Sequence, residues 1–577
     1  MAGVPVQARF VSPSGHGAQT GPATGTHVGP ARSPGGPPPS HQFGPDTTFT
    51  HQFTGAGITT PGLVCDAPAL LVPTTCTGFL ASSVDGTLLD ITIRVPQDGA
   101  PLRPLVVFLH GWGGNKSNGA MYDQLITGEG FTFLRMSDRG FGESWGQANL
   151  ADVNVELEDV RSIIGQVVDD AQLGVDGGRV GVFGVSYGGG MSWLSAAKPA
   201  FNSPKGQGIR IRTIIPIIGW TDLLYSLAPN GRPDGAPEVA GAIKLAAINA
   251  LYAGGHRTVA DRPYDNLPYF LTEWNALVAG GEPNLANPAF QRLVDALDGY
   301  RSIYWQAAFW QQVEANHGRH SQMPILEIQS MQDALFPLPE ALRMYDALRN
   351  ADPEYPIAEY WGDTGHPPSD NKPGEAAYLN TLIGSWFLEH LAHDSQTIPF
   401  PITASITRPA GIGFNLGDLI RGDTDGLATK TVSIAFDDPG TLNFDPASKS
   451  NDQMIVEIAP ASKFGGSFLL AGQPVLHMHI SSQAYREQLH FRLYDGLPNG
   501  PIYVVTSGTY VVDTGSTSVA IGDQDVVITG FGNVWQFGDK DTLKLEISNV
   551  NSASFEPSKV PSVTTITNLG LDVPVRP

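Results

Sequence analysis

Residues 179–193 read RVGVFGVSYGGGMSW, an apolar run of strand character that passes through Gly184-Val185-Ser186-Tyr187-Gly188 into a glycine-rich, then helix-forming, stretch. Few folds accept such a segment. A strand that turns directly into a helix strains the residue at the apex and crowds its neighbours, so the positions two before and two after it must be tiny. Gly184 and Gly188 meet that demand and leave Ser186 lifted clear of the main chain, where a base can activate its hydroxyl. The spelling alone does not decide. With Gly at 67 of 577 residues, G-x-S-x-G arises by chance in about one such chain in two, and Gly142-Glu143-Ser144-Trp145-Gly146 is a second match. Context separates them: Ser144 lies beyond the apolar run GFTFLRMSD and is followed by QANLADVN, with no helix starting at the serine. Ser186 is the candidate nucleophile.

The surrounding pattern places this turn in a layered α/β unit. From about residue 77 the segments VDGTLLDITIRVP, PLVVFLHG, FTFLRMSD, RVGVFG and IRTIIPIIG have strand character, with a helical period across VELEDVRSIIGQVVDDA. Strands alternating with helices predict a mostly parallel sheet covered on both faces. The alternation stops after residue 220. Residues 221–320 hold helical periods such as EVAGAIKLAAINALY and NPAFQRLVDALDGYRSIYWQAAFWQQV, and they read as a cap inserted between two sheet strands. The sheet resumes with PILEIQS and PIAEYWG and closes with a helix through EAAYLNTLIGSWFLEHLA, so the α/β unit is expected over 61–220 and 321–397. Beyond it, 398–577 carries strands and turns (PVLHMHISS, LHFRLYDG, IYVVTSGTYVV) and is expected to form an all-β sandwich or jelly roll. Residues 1–60 are Gly, Pro, Ser, Thr and His without apolar periodicity and read as a disordered leader. Its histidines (His16, His27, His41, His51) are scattered singly and do not suggest a metal site.

Charge narrows the partners. Lys plus Arg number 34 against 56 Asp plus Glu, a formal charge of −22, which repels nucleic acid and anionic lipid alike, and no segment suggests a membrane span. The two cysteines, Cys65 and Cys76, lie close together in GLVCDAPALLVPTTCTGF and read as a short disulfide loop, which points to export. The N-terminus MAGVPVQARF shows no apolar core of a signal peptide, so a cytoplasmic location stays open.

A serine nucleophile needs a histidine base and a carboxylate to orient it, in this architecture in the chain order Ser, acid, His, each just past the carboxyl end of a strand. PILEIQS is followed at once by Met331-Gln332-Asp333, and PIAEYWG by Asp363-Thr364-Gly365-His366. Asp333 and His366 are the candidates. Asp333 also precedes a helix it could cap, and Asp363 competes as the acid but shares a loop with His366. His317 and His320 fall at the wrong end of the sheet, and His390 and His393 on the closing helix. The oxyanion donors are expected to be the backbone N–H groups of Tyr187, next to the nucleophile, and of Trp112 in the loop of LVVFLHGWGGN, where Gly111, Gly113 and Gly114 permit close approach. No Cys/His cluster calls for a metal, and nothing in the chain calls for a cofactor.

The set DGTLLDITIRVP, HGWGG, Asp138-Arg139-Gly140-Phe141-Gly142-Glu143-Ser144, GVSYGGG, QDALFP and VWQFGDKDTLKLEISN resembles the cocaine esterase / Xaa-Pro dipeptidyl-peptidase family over about residues 77–577. The resemblance implies an α/β-hydrolase domain, a helical cap and a C-terminal jelly-roll domain of galactose-binding-like type, and makes Ser144 part of a structural motif. Two departures stand out. Cocaine esterase-like members use a tyrosine hydroxyl as an oxyanion donor where this chain has Trp112, and the large N-terminal helical domain of some Xaa-Pro dipeptidyl-peptidases is missing. No acidic pair for a substrate ammonium can be identified, although Asp222, Glu238, Glu273 and Asp298 fall in the cap region.

The expectation from these readings is a serine hydrolase that cleaves a small ester, or an amide, through an acyl-enzyme. The alternative is release of Xaa-Pro dipeptides from short peptides, and a third reading makes the β domain a binding module on an inert hydrolase fold. The cap aromatics Tyr300, Tyr304, Trp305, Phe309 and Trp310 are either an acyl pocket or, as helical spacing more often implies, cap core.

Overall fold

A computed structural model describes residues 6–7 and 54–576 apart from 69–71, 233–239, 258–261, 281–286, 319–320, 396, 399, 408–411, 423–425, 437–439, 448–449 and 552–553. Most of the expected leader therefore lies outside the described residues. From Thr54 onward the chain is tied down: Leu88 N–H donates to the Thr54 carbonyl and Trp145 Nε1–H to Thr59 Oγ1.

Strand segments such as RPLVVFL (Arg103–Leu109) and TFLRM (Thr132–Met136) are buried along their whole length, as a parallel strand covered on both faces must be. They belong to a twelve-stranded sheet in the order Leu419–Gly422, Ile402–Ser405, Ile357–Gly362, Ile325–Ser330, Gly208–Ile217, Val175–Val185, Arg103–Leu109, Thr132–Met136, Leu88–Val95, Thr74–Ala81, Gly62–Cys65, with Ala200–Asn202 paired beside Gly208–Ile217. The strands from Ile402–Ser405 to Thr132–Met136 run parallel, and the outer ones antiparallel. Alternate residues serve opposite faces. Leu105, Val107 and Leu109 pack with the helix Glu156–Asp169, and Val106 and Phe108 with the helix Glu375–Phe387. Cys65 and Cys76 face each other across the last antiparallel pair and are disulfide-bonded.

The chain passes from Arg103–Leu109 to one neighbour, Thr132–Met136, and then crosses to the other, Val175–Val185. At such a switch point the loops leaving adjacent strands diverge and open a crevice at their carboxyl ends. Those loops carry His110–Asn115 and the turn at Ser186. Between Gly208–Ile217 and Ile325–Ser330 the helices Leu223–Leu227, Leu245–Gly255, Tyr269–Val278, Pro288–Arg301 and Ala307–Asn316 cover the crevice as a cap.

One boundary differs from the expectation at residue 398. Ile402–Ser405 pairs in parallel with Ile357–Gly362, and Leu419–Gly422 pairs antiparallel to it, so the mostly parallel sheet runs on to Gly422. These strands look locally like the β tail that follows; their partner is chosen by a long-range parallel match across a helix, which alternation along the chain does not reveal. From Lys430–Ala435 onward the chain forms a sandwich of two largely antiparallel sheets, with Leu476, Ile480, Phe491, Leu493, Leu545 and Val573 in its core. Val6–Gln7 adds a short parallel strand beside Gln453–Pro460. Among the described residues no helix is long and apolar enough to cross a membrane.

Candidate active site

Ser186 occupies the apex between the strand Val175–Val185 and the helix Tyr187–Ser195 with φ 58° and ψ −110°, a conformation that non-glycine residues rarely adopt and that costs about 1–3 kcal/mol. The crowding is concrete: a Cβ on Gly188 would lie 2.1 Å from the Leu109 carbonyl oxygen, and one on Gly184 would lie 2.4 Å from that of Gly188. The apex is held by Ser186 N–H donating to the Ile217 carbonyl at 2.9 Å.

Two other strand ends bring partners to it. Ser186 Oγ lies 2.8 Å from His366 Nε2, and His366 Nδ1 lies 2.6 Å from Asp333 Oδ2. The Asp333 carboxylate is buried and accepts four hydrogen bonds. Oδ2 takes the His366 ring and backbone N–H, and Oδ1 takes the backbone N–H groups of Leu335 (2.8 Å) and Phe336 (2.9 Å). It is thus both a turn-capping and an imidazole-orienting residue. Gly365 permits the approach, since a Cβ there would meet Asp333 Oδ2 at 2.8 Å.

The competing candidates are elsewhere. Asp363 turns to the Asp370 N–H (3.1 Å) and Lys372 (3.5 Å), away from the imidazole, and burial pushes its carboxyl up to about 6. His317 faces Asp352, His393 faces Glu389, and His390 bonds the Ser395 carbonyl; His320 lies outside the described residues. Ser144 is fully buried, donates to the Ser137 carbonyl (2.6 Å) and accepts from Asp90 N–H (2.8 Å), and so holds two segments together. Beside it Arg139 ties Asp159 and Asp85, at 2.6 and 3.1 Å.

The backbone N–H groups of Tyr187 and Trp112 donate to no protein acceptor among the described residues, and both residues line a cavity that opens at Ser186. The loop bearing Trp112 is positioned by a residue the sequence reading passed over. Asp138 N–H donates to His110 Nε2 (3.0 Å), so Nδ1 carries the proton and donates to the Gly111 carbonyl (2.7 Å). Burial pushes the His110 imidazole down to about 4, which keeps it neutral and in that tautomer. The Trp112 indole N–H donates to the Leu251 carbonyl at 2.8 Å, joining this loop to the cap.

The cavity is walled near the serine by Trp112, Tyr187, Trp220 and Phe336 and farther out by cap residues including Leu251, Leu271, Trp274, Phe290 and Leu293. Among the described residues its lining contains no charged side chain. The aromatics Tyr304, Trp305, Phe309 and Trp310 do not line it; they are buried in the cap core, with Trp305 Nε1–H donating to Asp222. Asp222 also faces Arg343 and caps Leu223–Leu227, Glu273 is exposed, Asp298 is buried in the helix Pro288–Arg301, and Glu238 lies outside the described residues. None of the described three reaches the cavity wall.

One stretch of the cap couples the cavity to both neighbouring units. Lys244 Nζ donates to the Leu335 carbonyl (2.9 Å), two residues past Asp333, and burial pushes its amine down to about 7. Next to it Ile243 lines the cavity and accepts from Glu556 N–H (2.8 Å), while Arg486 reaches the Gly241 carbonyl (3.1 Å). The β sandwich thereby sets the position of one cavity wall.

Residues 85–366, which include all three clustered side chains, match the X-Pro dipeptidyl-peptidase (S15 family) profile. That span is just under half of the chain, which over it is similar to the S15 family. The fold agrees with solved structures along most of its length. An aminopeptidase from the marine sediment archaeon Thaumarchaeota archaeon superimposes with TM-score 0.59 at 12% identity, covering 88% of this chain and 98% of that one. An α-amino acid ester hydrolase gives 0.59 at 13% over 90% and 99%, and a CocE/NonD family hydrolase from Staphylococcus aureus 0.56 at 13% over 87% and 94%. At such identities these likenesses speak to fold alone. An Escherichia coli relative, an uncharacterized 31.7 kDa protein in the traX-finO intergenic region, is 29% identical over 133 residues, 23% of this chain; the chain spans 42% of its length. The α/β domain thus brings a strained serine, an imidazole, a buried carboxylate and two open N–H donors to one end of an apolar cavity, an arrangement able to carry out acyl transfer.

Proposed function

We propose that this protein is a serine hydrolase that cleaves esters of uncharged, apolar acyl groups. His366 Nε2 takes the Ser186 hydroxyl proton as Oγ attacks the ester carbonyl carbon, and the resulting oxyanion is held by the N–H groups of Tyr187 and Trp112. Collapse breaks the bond to the alcohol, which leaves with the proton from His366. Water then repeats the sequence on the acyl-enzyme and frees the acid and Ser186. Asp333 holds the ring with Nε2 toward the serine and stabilises the imidazolium.

The observation that carries the choice of substrate is the cavity wall, largely apolar and, among the described residues, without a carboxylate. Amine-terminal peptides favour a different wall, because a desolvated ammonium costs several kcal/mol unless an anion pairs with it. The family description and the archaeal aminopeptidase support Xaa-Pro dipeptidyl-peptidase activity as the second reading. Assays of the purified protein on p-nitrophenyl butyrate and octanoate beside Xaa-Pro-p-nitroanilides separate the two: ester turnover dominating is the expected result. A preference for Xaa-Pro substrates that vanishes on N-acetylation overturns it. The Cys65–Cys76 bridge supports an oxidising compartment as the place where the enzyme works.

A further inference from the structure

The helix Tyr269–Val278 faces the cavity with Leu271, Trp274, Asn275 and Val278, the i, i+3, i+4, i+7 stripe of one helical face. One member is out of character. Asn275 sits in an otherwise apolar row, and its carboxamide oxygen is buried and accepts no hydrogen bond from the described residues. Other polar groups of the wall are satisfied within the protein: Trp112 and Trp220 donate to the Leu251 and Arg301 carbonyls, the Tyr187 hydroxyl accepts from Ala151 N–H, and the Tyr252 hydroxyl meets Thr272 Oγ1. A buried amide oxygen without a donor is destabilising, and no packing need explains it, since leucine would continue the stripe.

We propose that Asn275 is a specificity-determining residue that accepts a hydrogen bond from an uncharged donor, a hydroxyl or amide N–H, carried on the apolar acyl group. This rests on the cavity being the acyl pocket of an esterase, as proposed above. The donor is neutral because a single amide oxygen does not replace the anion an ammonium requires, and the described residues of the wall include none. The preferred substrates are then esters of hydroxylated or amide-bearing apolar acids rather than of plain hydrocarbon acids. A site of this kind discriminates sharply, because the analogue without the donor leaves the protein's own acceptor unpaired.

The test compares kcat/KM of the full-length protein for p-nitrophenyl octanoate with that for p-nitrophenyl hydroxyoctanoates in which the hydroxyl is moved carbon by carbon along the chain. One isomer is expected to exceed octanoate by about 10- to 100-fold. In Asn275→Leu the ratio of that isomer to octanoate falls to about one or below, and the thermal midpoint does not fall, because the unpaired group has been removed. The wild-type series alone already decides: if no isomer exceeds octanoate, the proposal is overturned. A common factor across all substrates in Asn275→Leu also overturns it, as that marks a merely structural residue. Failure of the esterase reading looks different, since no ester of the series is then turned over by the wild type, and it removes both.

Discussion

Replacing Asp333 by Asn tests the proposed catalytic unit at the point where the structure is most demanding. The carboxylate accepts two hydrogen bonds on each oxygen and is 2% exposed, so neither side has a spare water to exchange with. An asparagine must present its NH2 to one of those pairs. Toward Leu335 and Phe336 it opposes two backbone N–H donors, and toward His366 it opposes the backbone N–H and the ring Nδ1–H. The second conflict is the easier to relieve, because the ring can move its proton to Nε2. That tautomer donates to Ser186 Oγ and cannot take its proton. Loss of the correct tautomer is worth about 10⁴ in kcat, or about 5 kcal/mol of barrier. Substrate binding does not pass through Asp333, so KM should move by less than about threefold. The hydrogen bond lost between the His366 backbone N–H and this buried side chain should also cost about 1–3 kcal/mol of stability. Steady-state kinetics on p-nitrophenyl butyrate with a parallel thermal melt read both quantities. A kcat loss below about tenfold with the melt intact would refute the orienting role, and a large KM rise at unchanged kcat would mean that the residue shapes the pocket instead.

Further outcomes follow from neighbouring features. Ser186→Ala should abolish fluorophosphonate labelling, whereas Ser144→Ala should keep it while losing about 2–3 kcal/mol of stability, because Asp90 N–H and the Ser137 carbonyl are left buried and unpaired; labelling of Ser186→Ala but not Ser144→Ala reverses the assignment. Glu327, beside Glu359 in adjacent strands of the central sheet, has its carboxyl held well above the usual range by burial and then by that neighbour. The folded protein therefore keeps a proton that the unfolded chain releases, and stability falls as pH rises from the ordinary glutamate range toward the raised folded value. Glu327→Gln should flatten that fall in melts between about pH 5 and 8; an unchanged slope would show that the pair does not govern it. Reducing the Cys65–Cys76 bridge, which spans 11 residues, should cost about 3 kcal/mol in the chain-entropy model. Mass analysis of alkylated native protein should find no free thiol, and two modified cysteines would contradict the bridge.

The local chemistry of the chain was enough to mark Ser186, Asp333 and His366. Each follows directly on an apolar strand, and a parallel sheet gathers the carboxyl ends of its strands on one side, so order along the chain becomes proximity in space. The steric demand at Gly184 and Gly188 singles out one of two matching pentapeptides for the same reason: it is a property of a few consecutive residues. What escaped the sequence is whatever depends on partners far apart in it. The end of the hydrolase sheet at Gly422 is set by a parallel pairing with Ile357–Gly362, and the tautomer of His110 by a backbone N–H from Asp138. The aromatics at 304–310 pack into the cap core, as their helical spacing favoured, but nothing in the sequence marked the quieter stripes on separate helices that line the space beside the serine. Helical periodicity states that a face is apolar and does not state against what it packs. Only the mutual arrangement of the cap helices, fixed by Lys244 on the Leu335 carbonyl and by the β sandwich at Gly241 and Ile243, decides which faces close on one another and which stay apart to leave the cavity beside Ser186.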